Sequence, residues 1–260
     1  MDKLCRDIRA NVLKVSHTSG HGHIPTCFSV IESMVAAYEV MKQDPKCPDW
    51  ELRDRFVLSK GHAALGYYGV LAAFGYFPAE EIGGFGAFLS TYGCHADRTK
   101  VNGVEASTGS LGHGIGLAAG MALGLKIAKS PARVFTLIGD GESNEGTVWE
   151  AVMVAVNSGL DNLTVILDHN KSQGRCLPIG NPADRFRSFG CDVDVVDGHD
   201  LGAMRDALSC RSGRVRAVVA ETVKGYGCRT LVDNVYEWHR KSPTVDELNT
   251  LLEELHAPAI

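Results

Sequence analysis

The chain has 260 residues, of which 45% are hydrophobic, and its formal net charge is −5 at pH 7. This length and apolar content suit one sizeable domain with a buried core, so we predict a single domain over residues 1–260. The mild acidity and the lack of a basic run argue against a nucleic-acid partner, and no apolar run is long enough to predict a membrane span.

The first part of the chain predicts helices, one strand and a long irregular stretch. Apolar residues at helical spacing predict a helix over residues 2–18 and another from about residue 30 to 41. Between them lies TSGHGHIPTCFS, which is rich in glycine and histidine. RDRFVLS then predicts a strand, and KGH leads into a further helix. Residues 76–108 are only weakly periodic, which in a compact domain favours a functional loop or an interface.

A glycine-rich segment, TGSLGHGIGLAAG, begins next to Gly109 and leads into a helix. Glycines at the start of a helix allow the backbone to approach a flat or anionic group closely. They equally allow two helices to pack tightly against each other. Composition alone leaves both interpretations open.

Residues 134–172 predict a strand, a glycine turn, a helix and a second strand. The run from Val134 to Ile138 is short, apolar and partly β-branched, as expected of a strand buried on both faces. Gly139 and Gly141 flank Asp140, and glycines there allow a sharp turn and close approach to a ligand. A second apolar run ends just before Asn170, 30 residues after Asp140. A crossover connection would make the two strands parallel and bring Asp140 and Asn170 together at their carboxyl ends.

One carboxylate, one amide oxygen and a nearby free carbonyl suit a hard cation such as Mg²⁺, which keeps part of its coordination shell for phosphate oxygens. The alternative for GDG alone is a simple turn or a helix N-cap. The pairing of Asp140 with Asn170 favours the metal site.

The remaining residues continue the alternation of strands and helices. Strands are predicted over residues 191–196 and 215–223, with Asp200 as the N-cap of the helix between them. A helix over residues 245–255 follows. The chain is therefore predicted to be an α/β protein with a mostly parallel sheet between layers of helices, an α/β/α sandwich.

Several stretches together resemble the amino-terminal, diphosphate-binding domain of the transketolase family. They occur in the family's order over nearly the whole chain: DRFVLSKGHA, TGSLGHGIG, GDGESNEGTVWEA, LDNLTVILDHNK, ETVKGYG and EWH. The resemblance implies the thiamine diphosphate-binding fold and, as cofactors, thiamine diphosphate and Mg²⁺. It assigns the metal to Asp140, Asn170 and the main-chain oxygen of Ser172, with Gly139 and Gly141 beside the diphosphate. His169 departs from the family, which usually has Asn or Asp at this position.

The resemblance also assigns catalytic roles to four histidines. His62 matches a histidine beside the diphosphate, His95 one that reaches the substrate near its reacting carbons, and His239 one near both the diphosphate and the reacting centre. The fourth lies in an SGH motif, for which His21 and His23 compete. Counting back 39 residues from His62 without a gap selects His23. Imidazoles suit this chemistry because their pKa is near neutral.

Four further residues match family positions whose roles have simpler alternatives. Gly109 and Leu111 match positions that line the aminopyrimidine ring, although Leu111 could equally be a core residue. Glu145 and Glu150 match acidic residues at the contact between subunits, although they could be solvated charges on a helix.

The resemblance also indicates what this chain lacks. Family members need a glutamate from a pyrimidine-binding domain, and nothing in the 260 residues matches that domain. We therefore expect the amino-terminal subunit of a split transketolase that moves a two-carbon ketol unit from a ketose to an aldose. The expected partner is a carboxyl-terminal subunit that supplies the pyrimidine-binding domain and the glutamate, in an α2β2 assembly acting on sugars or sugar phosphates.

Two alternatives and the cellular compartment complete the sequence-based expectations. The chain could be the α subunit of a 2-oxo acid dehydrogenase, which shares the GDG…N pattern, or a cofactor-binding scaffold that has lost activity. The histidine set and the KGHA context argue against the first, and the intact set of Asp140, Asn170 and the histidines His62, His95 and His239 argues against the second. Eight scattered cysteines without a CxxC pair and an amphipathic amino terminus favour reduced, mostly buried thiols in a cytoplasmic protein.

Overall fold

The computed structural model describes residues 1–256, and a five-stranded sheet runs through this part of the chain. The last four residues of the predicted domain, 257–260, lie outside the described range, so the extent of the domain stays a prediction. Every pairing in the sheet is parallel, in the order β1-β2-β3-β5-β4. The strands are β1 (Arg55–Leu58), β2 (Val134–Gly139), β3 (Leu163–His169), β4 (Asp192–Asp197) and β5 (Arg216–Glu221).

Helices connect and cover the strands. In chain order they are α1 (Lys3–Ser19), α2 (Ile24–Phe28), α3 (Ile31–Val40), α4 (Ala64–Ala73), α5 (His113–Ile127), α6 (Gly146–Asn157), α7 (Pro182–Phe189), α8 (Leu201–Ser209), α9 (Arg229–Asp233) and α10 (Val245–His256). Short 3-10 helices occupy Gly61–Ala63, Ala79–Gly84, Glu142–Asn144, Ser172–Arg175 and Glu237–His239.

Helices pack on both faces of the sheet because alternate strand residues point in opposite directions. On β2, Phe135 and Leu137 join a core formed with α1, α3, α4, α8 and α10. Val134 and Ile138, on the same strand, join a second core formed with α5, α6 and α7. The predicted three-layer α/β/α sandwich with a parallel sheet is confirmed.

Most predicted elements are present within a few residues of their expected bounds. Asp200 is the N-cap of α8, and its side chain accepts a hydrogen bond from Ala203 N at 3.0 Å. The prediction missed α7, although its amino end carries standard signals: Asn181 caps the helix, and Pro182 occupies the first turn. Residues 76–108 are irregular apart from the 3-10 helix Ala79–Gly84.

Two further features bear on the sequence-based expectations. None of the helices found between residues 1 and 256 is both long and apolar enough to cross a membrane. The cysteines are free thiols, but only Cys5, Cys27, Cys191 and Cys228 are buried. The expectation that most of them are buried was therefore wrong, because the others lie on loops and helix ends.

Candidate active site

The turn that follows β2 meets the end of β3, as the sequence predicts. Gly139 pairs with Asp168 in the sheet register, and Asp140 N donates to the carbonyl oxygen of Asp168 at 3.1 Å. The Asp140 side chain is only 4% exposed. Its Oδ1 accepts from Gly141 N at 2.7 Å, and its Oδ2 accepts from Gln173 N at 3.3 Å. Asp140 is thus a buried carboxylate held by backbone donors.

The glycines of this turn are needed because there is little room for a side chain, and not because of an unusual backbone conformation. Neither Gly139 nor Gly141 has a positive φ. A Cβ on Gly139 would lie 3.3 Å from Lys60 Cδ, and one on Gly141 would lie 3.1 Å from Gln173 Oε1. Any larger residue would therefore press on the side chains that surround the turn.

Asn170 and Ser172 lie at the same edge of the sheet as Asp140, so the structure brings together the three residues predicted to hold the metal. The Asn170 amide nitrogen donates to Asp168 Oδ2 at 2.7 Å, which fixes the orientation of the amide, and its Oδ1 accepts from Ser172 N at 3.0 Å. Ser172 Oγ lies 3.4 Å from Asp140 Oδ1. Between them Lys171 has a φ of 61°, a left-handed conformation that turns the chain back toward Asp140. Oxygen ligands of this kind match those that Mg²⁺ prefers.

Asp168 forms the base of the site. Its carboxylate is completely buried and accepts hydrogen bonds from Lys60, Ser29, Thr222 and Asn170. Burial alone would raise the pKa of Asp168, but the neighbouring ammonium of Lys60 lowers it below its usual value. The sequence-based reasoning did not single out Lys60, although it lies two residues before the predicted His62.

Three of the predicted histidines form one cluster, His23, His62 and His239, which we call the histidine cluster. The His23 ring centroid lies 5.5 Å from that of His62 and 5.4 Å from that of His239, both in edge-to-face arrangements. Burial, followed by the charge of Lys60, lowers the pKa of His62 to about 2. Burial, followed by the charge of His239, lowers the pKa of His23 to about 4. The pKa of His239 is lowered in the same way, by burial and by Lys224. These imidazoles are therefore neutral near pH 7.

The structure separates the two competitors for the SGH position. His23 belongs to the histidine cluster, whereas His21 is exposed and packs against the loop at Gly86, where an added Cβ would lie 2.8 Å from its ring. His95 is exposed and lies beside the predicted ring-binding segment, since its Cγ would be 4.0 Å from a Cβ on Gly109. His95 is not in the ring contacts of the cluster, but its charge is among those that lower the pKa of His23, so it lies near the cluster.

Lys224 is a site residue that the sequence-based reasoning missed. It lies in the turn after β5, and its Nζ is 3.4 Å from His239 Nδ1. Burial, followed by repulsion from Lys60, lowers its pKa to about 8. A lysine in the flexible KGYG turn gave no periodic signal, and only the parallel arrangement of β3 and β5 brings it to this edge. Lys60 and Lys224 together place two ammonium groups next to neutral imidazoles.

The glycine-rich segment before α5 is tied to the same edge. A Cβ on Gly61 would lie 3.0 Å from Gly109 N, so the turn that carries His62 touches the start of this segment. Leu111 is half-buried and is not part of the apolar cores. Gly112 N donates to Glu142 Oε1 at 2.8 Å. Glu142 is almost fully buried, and burial raises its pKa.

Comparison with known proteins gives a consistent result. A family described as "Transketolase, thiamine diphosphate binding domain" matches residues 2–254. An apulose-4-phosphate transketolase subunit from Actinobacillus succinogenes is 35% identical over 98% of this chain and 95% of its own length. The 6-deoxy-6-sulfo-D-fructose transketolase subunit SqwG of a Clostridium species is 37% identical over 85% of this chain and 83% of its own length.

Solved transketolase structures share the fold but are longer. A crystal structure of a transketolase variant from Pichia stipitis superposes with a TM-score of 0.88 at 26% identity, covering 98% of this chain and 40% of that one. The transketolase of Campylobacter jejuni superposes with a TM-score of 0.86, also at 26% identity, covering 97% of this chain and 41% of that one. The chain thus spans about two fifths of the length of these solved transketolases.

Proposed function

This chain belongs to the transketolase family, whose thiamine diphosphate-binding domain it carries, and from that premise we propose that it is the amino-terminal subunit of a two-chain transketolase. The reaction is the transfer of a two-carbon ketol unit from a ketose to an aldose. The two-chain organisation is supported by relatives named as subunits, which this chain matches over 95% and 83% of their lengths.

Asp140, Asn170 and the carbonyl oxygen of Ser172 would hold Mg²⁺. The observation that supports this assignment is the chemistry of Asp140, a buried carboxylate with no ion pair to a basic side chain in the part of the chain that the structure describes. The same residues, 1–256, contain no group of three or more His, Cys, Asp or Glu side chains that could cage a metal. An ion at this site would therefore complete its shell with phosphate and water oxygens, as Mg²⁺ commonly does.

The site also fits the anionic end of thiamine diphosphate. Gly139 and Gly141 flank Asp140, and Lys224, whose Nζ lies 3.4 Å from His239 Nδ1, has a pKa lowered to about 8 by burial and by Lys60. The negative charge of a bound diphosphate would offset the repulsion between Lys60 and Lys224 and favour the charged form of Lys224. Gly109 and Leu111 lie in the segment next to this edge and would line the aminopyrimidine ring. When bound, thiamine diphosphate supplies the nucleophilic carbon that breaks and remakes the carbon–carbon bond.

The histidines would handle the protons of the sugar hydroxyls. His23, His62 and His239 are neutral near pH 7, because burial lowers the pKa of each. A neutral imidazole nitrogen accepts a hydroxyl proton and returns it later in the reaction. His62 and His239 lie nearest the lysines of the diphosphate end, and His95 would contact the substrate from the exposed side.

We extend the proposal to an α2β2 assembly in which each cofactor lies between unlike chains. Two neighbouring helices, α5 and α6, expose large apolar side chains, and a soluble chain normally covers such a surface by association. They are Leu117, Leu123, Ile127, Met153 and Val154. Glu145, the N-cap of α6, and Glu150, within α6, are also exposed and would join the contact. The partner would supply the pyrimidine-binding domain and the glutamate that activates the cofactor.

The substrates would be sugars or sugar phosphates. The two relatives described above are named for a sugar phosphate and a sulfo sugar. The free thiols of this chain support a reducing compartment, and we place the enzyme in the cytoplasm.

A ketol-transfer assay with thiamine diphosphate and Mg²⁺ tests the two-chain proposal. The purified chain is assayed alone and together with a carboxyl-terminal transketolase subunit from the same organism, with light scattering to determine the assembly. We expect turnover only in the mixture, because the activating glutamate comes from the partner. Robust turnover by the chain alone would overturn the two-chain organisation, and activity of the mixture on 2-oxo acids instead of ketoses would overturn the reaction.

A further inference from the structure

Glu142 lies where three separate segments of the chain meet. It begins the 3-10 helix after the Asp140 turn and is 2% exposed. Its Oε1 accepts from Gly112 N at 2.8 Å and from the Ser59 hydroxyl, and its Oε2 accepts from Gly139 N at 3.0 Å. The donors come from the end of β1, from the start of α5 and from the end of β2.

Ser59 extends this network into α5. Its Oγ accepts from Ile115 N at 3.2 Å, so Ser59 and Glu142 together satisfy backbone N–H groups at the amino end of that helix. An isolated helix end would use its own N-cap side chain, but Gly112 at this position has none. The amino end of α5 is therefore oriented by residues from two other segments.

The packing around Glu142 leaves little room for adjustment. Gly112 has a φ of 81°, and an added Cβ would lie 2.3 Å from Thr147 Oγ1. A Cβ on Gly114 would lie 2.5 Å from Ser59 Cα. The start of α5 can therefore occupy one position against β1 and the Asp140 turn. Any shift of the Glu142 carboxylate would shift this position too.

The chemical type of Glu142 matters as well. No ion pair joins it to a basic side chain between residues 1 and 256, and a buried carboxylate is costly unless hydrogen bonds satisfy it. A carboxylate offers acceptors only, which suits three converging donors. A glutamine would fit the same space, but its NH₂ group would face one of these donors.

We propose that Glu142 is a positioning residue that sets the distance between the segment binding the diphosphate and the segment binding the aminopyrimidine ring. This inference rests on the proposed function, because that function places the diphosphate at Asp140 and the ring at Gly109 and Leu111. The hydrogen-bond partners of Glu142 are Ser59, Gly112 and Gly139, and Glu142 is not among the residues proposed to bind either end of the cofactor. It acts by holding both halves of the site at the spacing that the whole cofactor needs, which lowers the cost of ordering the site on binding.

The test compares a ligand that spans both halves with a ligand that occupies one. Calorimetry on the complex with its partner subunit, in the presence of Mg²⁺, measures the affinity for thiamine diphosphate and for inorganic pyrophosphate. For Glu142→Gln we expect thiamine diphosphate to bind about 10- to 100-fold more weakly, because its two ends no longer fit one spacing. Pyrophosphate occupies only the diphosphate half, so its affinity should change by less than about threefold.

Asp54→Asn provides a control at a buried carboxylate away from the site. Asp54 is also 2% exposed and joins separate segments, since it accepts from Arg133 N at 2.7 Å and from Lys42 N at 3.0 Å. Unlike Glu142, it also forms an ion pair with the Arg133 side chain at 3.3 Å. It lies at the amino end of β1, on the opposite edge of the sheet from the site. Asp54→Asn should lower thermal stability and leave the affinities for both ligands unchanged.

The outcomes separate the two proposals. If the wild-type complex binds no thiamine diphosphate, the proposed function fails. If the wild-type complex binds thiamine diphosphate, and Glu142→Gln lowers the affinity for both ligands by the same factor or for neither, the positioning role is refuted. Should Glu142→Gln not fold, Ser59→Ala removes one donor to Glu142 together with the acceptor of Ile115 N. This variant should lower the affinity for thiamine diphosphate by about three- to tenfold and leave the affinity for pyrophosphate unchanged. Equal effects on the two affinities would refute the positioning role.

Discussion

The Arg9 cluster has a fully buried ion pair and the histidine cluster consists of half-buried side chains, and the two balance their charges differently. The Arg9 cluster, which consists of Arg9, Glu32, His199 and Tyr226, pairs opposite charges. The Arg9 guanidinium donates to both carboxylate oxygens of Glu32, each at 2.6 Å. Burial alone would raise the pKa of Glu32, yet Arg9 holds it at about 2. Both charges of this ion pair are therefore neutralised by side chains of the same chain.

The histidine cluster gathers groups that repel one another when protonated. Its three imidazoles stand near Lys60 and Lys224, and the pKa of Lys224 and of each imidazole is lowered by burial and by these neighbours. Among these five groups of the described chain, only Lys60 has a carboxylate partner within salt-bridge distance, Asp168. Such an excess of basic groups is unfavourable until an anion binds. The difference supports the proposal that the histidine cluster binds an anionic ligand, whereas the Arg9 cluster has no such excess of charge.

The largest expected effect comes from removing one charge of the Arg9 cluster, in which opposite charges are paired. Arg9→Met would leave Glu32 buried without its partner, which typically costs about 3–5 kcal/mol of folding free energy. Urea unfolding measures the loss. The double variant Arg9→Met/Glu32→Met is the control, because removing both charges should recover most of the stability. A loss of folding free energy below about 1 kcal/mol for the single variant would mean that the Arg9 cluster does not depend on paired charges and does not differ from the histidine cluster in this respect.

A smaller effect is expected from His95, which stands outside the histidine cluster. His95→Ala should reduce turnover by about 10²-fold, the effect of losing a positioned acid–base or polar group, while cofactor affinity stays nearly intact. Steady-state kinetics and calorimetry on the two-chain complex measure the two quantities. His256→Ala, at an exposed position on α10, should change neither. Loss of cofactor binding in His95→Ala would place this residue at the diphosphate instead of the substrate.

The smallest effect is a pH dependence that distinguishes the clusters. The folded-state pKa of His62 is about 2, below the ordinary value of 6.5, so the unfolded chain binds more protons at acidic pH. Stability contributed by this neutral imidazole is present above pH 6.5 and is lost as the pH falls toward the folded-state pKa, by at most about 1.4 kcal/mol per pH unit. Urea unfolding between about pH 5 and pH 6 should show a shallower slope for His62→Asn than for the wild type. Equal slopes would mean that His62 is not held neutral by its surroundings.

The predictions from sequence succeeded where one local pattern determined the result. Asp140 and Asn170 each follow a buried strand, and parallel strands bring their carboxyl ends to one edge, so their meeting was predictable. The choice of His23 over His21 followed from spacing and stays a prediction, although the structure places His23 in the histidine cluster and leaves His21 outside it.

The predictions from sequence missed residues whose importance depends on distant partners. The partners of Glu142 lie 83, 30 and 3 residues away in the chain. Lys224 follows β5, and the pairing of β5 with β3 brings it to the edge where Asp140 and Asn170 lie. No periodic pattern or short motif encodes such contacts, since they depend on the order of strands in the sheet.

The affinity for thiamine diphosphate with and without the Asp140 carboxylate tests the central claim most directly, namely that the carboxyl edge of β2 and β3 binds a metal-bridged diphosphate. Asp140→Ala removes the only carboxylate among the three proposed metal ligands, so repulsion within the bound diphosphate would be less compensated. Calorimetry on the two-chain complex with Mg²⁺ should show affinity reduced by well over about tenfold, equivalent to more than about 1.4 kcal/mol. Unchanged affinity in Asp140→Ala would contradict the assignment of this edge as the cofactor site.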